Sequence, residues 1–190
     1  MSEHSSTIDT STLLSLRCAG VLGAISLLSD RILVPRAVWA ELAKGGPTNE
    51  AIESVLAEYG FFERCEDYDP ARVQLLLDDR KNRKEGRDKG EAEAVIQAQE
   101  RSCGMVLVDD KLGRSWAERH GLQRHGTLWV WEELRGRGIV RSLRPHFEAL
   151  IRGRRRQPLA AMNDRLAKFG EPPISIDEKR LLEGIDRARG

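Results

Sequence analysis

Met105-Val106-Leu107-Val108-Asp109-Asp110 reads as a short apolar strand that runs straight into two carboxylates. It is the clearest strand in the chain, and helical patterns stand on either side of it. Thr7-Ile8-Asp9 repeats the arrangement near the start, a short buried strand closing on an aspartate. Arg31-Ile32-Leu33-Val34 is a further short strand, and Pro35 falls where proline suits the first turn of a helix carrying Val38, Trp39 and Leu42. Between these lie helical stretches. Leu13, Leu14 and Leu16 lead into Val21–Leu28 with a break near Gly20, and Gly45-Gly46-Pro47 ends the helix after Pro35. Ile52, Val55 and Leu56 define another helix. From Asp78 to Lys89 the chain is nearly all charged, which predicts an exposed loop or a frayed helix end. A helix follows from Gly90 to about Ser102, then one from Leu112 to His120, a turn at Gly121, and an apolar helix opened by Gly126-Thr127. Amphipathic helices finish the chain around a loop at Gly170-Glu171-Pro172-Pro173. Short apolar strands alternating with helices predict an α/β fold whose parallel sheet is covered on both faces. Ligands of such sheets bind at the carboxyl ends of the strands, where Asp9 and Asp109 stand.

Composition narrows the function classes. At 190 residues, 40% hydrophobic and 32% charged, the chain suits one well-buried α/β domain. Its longest apolar run, Val21–Leu28, is far short of the ~20 residues of a membrane span. The polar first ten residues lack the pattern of a signal peptide. Three scattered cysteines (Cys18, Cys65, Cys103) fit a reduced cytoplasmic setting better than disulfides or a zinc site, and the four histidines form no cluster with them. Cysteines, histidines and the tryptophans Trp39, Trp116, Trp129 and Trp131 are assigned to packing. The net charge of +1 hides an asymmetry. Residues 135–156 hold eight arginines (Arg135, Arg137, Arg141, Arg144, Arg152, Arg154, Arg155, Arg156) against one acid, Glu148. Such a stripe is either a solvated helix face or a polyanion site, the latter centred on Arg154-Arg155-Arg156.

Any one acid at a strand end can be a helix N-cap. The set is more informative. Asp9 and Asp109 share one edge of the sheet, Glu41 lies on the helix after the second strand, and Glu91 opens the helix that feeds Met105–Val108. Two unit charges ~4 Å apart repel by about 4 kcal/mol at an effective dielectric of 20, so converging carboxylates hold protons or bind a cation. Oxygen-only ligation selects a hard ion, Mg2+ or Mn2+, and such ions meet phosphate oxygens readily.

The order Asp9-Thr10-Ser11, Val34-Pro35-Arg36-Ala37-Val38-Trp39-Ala40-Glu41, Gly90-Glu91-Ala92-Glu93-Ala94 and Leu107-Val108-Asp109-Asp110 resembles a PIN domain. It is most similar to the branch with a GE-x-E-A helix, a DD-x-x-x-R-x-x-A segment (Asp109, Asp110, Arg114, Ala117) and a Gly-Thr-Leu turn at Gly126–Leu128. The resemblance implies a three-layer α/β/α fold with a short, mainly parallel central sheet over residues 7–150, and residues 151–190 as a helical extension. It implies a metal-dependent ribonuclease acting on single-stranded RNA, in many members the toxin held by a cognate antitoxin protein; a homodimer is an open assembly. Asp9, Glu41, Glu91 and Asp109 match the family's acidic positions, with Asp9, Glu91 and Asp109 as metal ligands. Ser11, or else Thr10, matches the hydroxyl that orients the attacking water. Asp110 is an auxiliary ligand or a helix cap. Two rivals remain: a PIN-like module that only binds RNA or protein, and a phosphatase with an aspartyl-phosphate. The second is opposed by Ser11, which stands where its general acid belongs.

Helical spacing separates two neighbouring acids. Positions i and i+2 differ by about 200° around a helix, so Glu91 and Glu93 cannot face one site. Val95 and Ala98 continue the face of Glu91 toward the sheet, whereas Glu93, Gln97 and Glu100 form a polar stripe expected to meet solvent.

Overall fold

Five strands make one sheet: β1 (Ser5–Ile8), β2 (Arg31–Pro35), β3 (Phe62–Cys65), β4 (Met105–Leu107) and β5 (Arg124–His125). Their order is β3-β2-β1-β4-β5 and every pairing is parallel. The structure, a computed structural model, describes residues 5–44, 54–78 and 88–185. The readings of Gly45-Gly46-Pro47, of Ile52 and of the charged stretch at 79–87 lie outside these residues.

The chain divides into two compact units. One takes residues up to Leu13 together with Ile25–Gly126, the other Leu14–Ala24 together with the residues from Thr127 on. The first unit holds the sheet, the first turn of α1 (Thr10–Cys18), and the helices α2 (Arg36–Lys44), α3 (Pro70–Asp78), α4 (Lys89–Glu100) and α5 (Lys111–Arg119). Strand side chains alternate between two buried faces. Thr7, Leu33 and Val106 stand side by side in register, and Leu33, Val106 and Val108 join the core formed with Val95, Ile96 and Trp116. On the opposite face Ile8, Ile32, Val34 and Leu107 are just as completely buried. Both faces are therefore apolar, as a parallel sheet requires.

Three elements were not legible in the sequence reading, and two others differ from it in detail. β3 and β5 are edge strands without an apolar run. The two middle residues of β3, Glu63 and Arg64, are exposed, and β5 is two residues long. α3 likewise went unread. Val21–Leu28 forms a short 3-10 helix over Gly23–Leu27, and Pro35 ends β2 instead of starting α2.

The largest correction concerns α4. Glu93 and Gln97 are buried, not solvent-facing, and of the stripe only Glu100 is exposed. The helix lies on β1, β2 and β4 and is flanked by α2, α3 and α5, so it has almost no free side. Its alanines, Ala92, Ala94 and Ala98, permit this close approach. Neighbours satisfy most of these buried polar groups, Gln97 Oε1 excepted. Ala37 N–H, in the first turn of α2, donates to Glu93 Oε2 at 2.6 Å, and Lys89 Nζ stands 3.7 Å from Glu93 Oε1. The positive end of α2 favours that carboxylate. Burial and a hydrogen bond to Glu93 hold the Tyr68 phenol above its usual range. Gln97 Nε2 donates to Cys65 O at 2.8 Å and ties α4 to β3. Thr7 Oγ1 donates to Ala94 O at 2.9 Å and ties it to β1.

In the second unit, α6 (Thr127–Gly136), α7 (Arg144–Arg152), α8 (Leu159–Lys168) and α9 (Ile176–Ile185) pack around Trp131, Phe147, Leu150, Met162 and Leu166. Trp131 stacks on His146 with ring centroids 4.0 Å apart. Glu171 closes the start of α7. Its carboxylate accepts from Leu143 N–H (2.9 Å), Arg144 N–H (3.0 Å) and Ser142 Oγ (2.6 Å). Burial opposes its ionisation, but these bonds and Arg135 hold its pKa below the usual carboxylate range. The arginine stripe is partly consumed here. Arg135 pairs with Glu171, Arg137 with Glu133, Arg144 with Glu148 and Glu178, and Arg152 with Glu148.

Replacing Glu93 with alanine leaves the buried Ala37 N–H without its acceptor, and the half-buried Tyr68 hydroxyl without that partner, a loss of about 1–3 kcal/mol. Thermal unfolding should show Glu93→Ala clearly less stable than Glu100→Ala. Equal melting temperatures would mean that Glu93 does not hold the start of α2.

Candidate metal centre

β1 is the switch point of the sheet. From it the chain builds outward through β2 to β3, then returns to lay β4 and β5 on its other side. Connections therefore diverge at the carboxyl ends of β1 and β4, which opens a crevice there. Asp9 stands at that point. Its N–H donates to Leu107 O at 3.0 Å, extending the β1–β4 pairing by one residue. Its carboxylate is fully buried. Oδ1 accepts from Thr12 N–H at 2.9 Å, which caps α1, and Oδ2 accepts from Ser11 Oγ at 2.8 Å. Asp9 is thus both helix cap and candidate ligand, with each oxygen fixed in direction.

The other acids arrive by close backbone packing. A Cβ at Gly126 would lie 2.5 Å from Asp109 Oδ1, so glycine leaves room for that carboxylate. A Cβ at Gly113 would lie 2.6 Å from Val108 Cγ2 and 3.1 Å from Glu91 Cβ, which places α5 directly against the stem of Glu91. A Cβ at Gly90 would come within 3.5 Å of Thr10 Oγ1 and 3.7 Å of Glu41 Oε1. Thr10 Oγ1 donates to Glu41 Oε2 at 2.5 Å, and Glu41 is exposed. Asp110 is the N-cap of α5, its Oδ1 accepting from Leu112 N–H at 2.7 Å. Arg154, Arg155 and Arg156 belong to the second unit.

Electrostatics tie the first-unit acids together. Burial pushes Asp9 up to about 7, the Asp109 charge adds to this, and the bonds from Thr12 and Ser11 oppose it. Burial also pushes Glu91 up to about 8, helped by the charges of Asp9, Asp88 and Glu41. Asp88 and the spacer glycines are the members that sequence reasoning missed. Gly126 and Gly90 lie inside quoted motifs, yet only the packing reveals what they make room for. Among the described residues no three His, Cys, Asp or Glu side chains already form a closed ligating cage. The donor set nonetheless fits a hard divalent cation: it is all oxygen, and burial, with added repulsion from neighbouring acids, holds two carboxyls toward protonation, a penalty that a cation relieves.

That repulsion has a pH signature. A carboxyl whose folded pKa is raised binds more protons when folded, so its stabilising effect is complete below the unfolded pKa near 4 and is lost as pH rises through the folded value. Metal-free protein should therefore lose stability between pH 4 and pH 8. Asp9→Asn should flatten the decline and raise the melting temperature at pH 8 by about 4 °C or more, taking ~2 kcal/mol at about 2 °C per kcal/mol. A melting temperature of wild type independent of pH over this range would contradict the site as drawn.

No curated protein and no solved structure matches the chain. A family model described as a PIN domain matches residues 6–171, which takes in every strand, the four crevice acids and most of the second unit. Its members are generally nucleases that use divalent metals, and the three-layer α/β/α arrangement around an all-parallel sheet agrees with it. The chain belongs to the PIN-domain family.

Proposed function

We propose that this chain is a Mg2+- or Mn2+-dependent endoribonuclease that hydrolyses phosphodiester bonds of single-stranded RNA, with residues 7–150 as the nuclease domain and 151–190 as a helical extension. The observation that carries the reading is Asp9: a fully buried carboxyl at the switch point, raised to about 7 and electrostatically coupled to Asp109 and Glu91. Asp9, Glu91 and Asp109 hold the cation, with Asp110 an auxiliary ligand beyond its capping role. When bound, the ion supplies Lewis-acid stabilisation of charge on the phosphate and a more acidic water. Ser11 fixes Asp9 Oδ2, and Thr10 fixes Glu41, so two carboxylates meet the reaction with their oxygens already oriented. Glu41, the exposed member, is placed to accept the proton of the attacking water, and Ser11 helps to orient that water. In the cell the reading makes the chain the toxin partner of a cognate antitoxin protein, acting in the cytoplasm. No helix of the described residues is long and apolar enough to cross a membrane.

Cleavage of a labelled single-stranded RNA should require Mg2+ or Mn2+ and cease with excess chelator; full activity in chelator would end the proposal. Asp9→Asn should lose metal binding and cleavage while remaining folded.

Glu91→Gln should lower the rate by orders of magnitude. Glu93→Gln, whose side chain is committed to Ala37 N–H, should change the rate no more than a few-fold although it lowers stability. The reverse ranking would overturn the assignment of Glu91.

A further inference from the structure

Three consecutive arginines leave α7 without partners. Arg154, Arg155 and Arg156 line a cavity of about 620 Å3 together with Lys179, Gln157 and Pro158. Among the described residues the carboxylate on its wall is Glu183, which is paired with Lys179 at 3.6 Å. Arg135, Arg137, Arg144 and Arg152 are tied into ion pairs, but none involves these three among the described residues. Arg155 Nε is closed off from solvent with no acceptor, a costly state for a charged donor. The backbone contributes too. Arg154 adopts φ 53°, a left-handed conformation unfavourable for a side-chain-bearing residue. It is held by Arg154 N–H to Ile151 O and Arg155 N–H to Leu150 O, both 2.9 Å. α8 begins at the cavity, and its N-cap Pro158 brings no side-chain acceptor to the start of that ten-residue helix, whose positive end favours an anion.

We propose that this cavity is a phosphate site for a ribonucleotide, read through its phosphate and not its base. Guanidinium forks match phosphate oxygens bidentately, and an uncapped helix start adds backbone donors. The volume falls within the ~300–1,000 Å3 of small-ligand sites. No aromatic side chain is among the lining residues, so base stacking is absent from the recognition. An acidic protein segment needs cations spread along a surface, whereas these converge on one cavity. That the ribonucleotide belongs to an RNA chain rests on the nuclease reading above; the phosphate site does not.

The test is binding of a fluorescent single-stranded octaribonucleotide to the full chain in excess chelator, across a salt series. Arg154→Gln/Arg155→Gln/Arg156→Gln should weaken binding at least tenfold and lower the salt slope by about two, at about 0.7 per phosphate contact. Arg152→Gln, at the end of α7 just before the three and paired with Glu148, should bind as wild type. Adenosine monophosphate should compete and adenosine should not. If the triple variant unfolds, Arg156→Gln carries the test with a slope loss of about 0.7. Unchanged affinity and slope, equal competition by nucleoside, or binding of a polyglutamate peptide in place of RNA would each overturn the proposal. Cleavage is a separate readout: RNA hydrolysis that persists in chelator overturns the metal-dependent nuclease reading and leaves the phosphate site standing.

Discussion

Negative charge is crowded where two parallel strands end side by side, and much of the first unit is organised around that fact. Asp9 cannot move away. Its backbone is paired to β4 and its two oxygens are spoken for by Ser11 and Thr12. Glu91 cannot move either, because α4 is wedged between the sheet and three helices. A packed core thus holds in place an arrangement of charges that would fly apart on a flexible chain. Preorganisation of this kind costs stability without a ligand, and it spares the ligand the cost of assembling its own site.

The same helix carries both signs of this balance. Two residues beyond Glu91, Glu93 is more deeply buried, yet it is satisfied by Ala37 N–H, Tyr68 and Lys89. The two glutamates differ in their neighbours alone. One stabilises the positive start of α2; the other faces Asp9 and Glu41 and is pushed toward protonation. Buried acids near a crevice are informative only when their partners have been counted.

Much of this was legible in the chain. β2 and β4 announce themselves as short apolar runs and β1 by Thr7-Ile8, and β1 and β4 lead into aspartates, so sheet type and the place of the candidate site follow from Thr7-Ile8-Asp9 and Leu107-Val108-Asp109. The edge strands were not legible, since Phe62-Glu63-Arg64-Cys65 pairs on one side only and needs no apolar alternation. Helical periodicity separated Glu91 from Glu93 correctly in direction but sent Glu93 and Gln97 to solvent. A period of 3.6 says which residues share a face, not what that face meets. The tertiary partners of Glu93 come from α2 and from the residues after β3, 56 positions away in the case of Ala37. The arginine stripe blurs for the same reason. Its members look alike in sequence, and only the placement of Glu148, Glu171 and Glu178 sorts structural arginines from unpaired ones.

Glu171 has a consequence in time. The start of α7 is completed by a carboxylate 28 positions downstream of Leu143, beyond the whole of α8. During synthesis at about 5–20 residues per second, the α7 segment has been made for at least a second before its acceptor exists. Through that interval its leading amides have only water to bond, and the helix is frayed at the end that Glu171 later seals. The start of α7 can therefore be sealed only once α8 has been made and the turn at Gly170 passed.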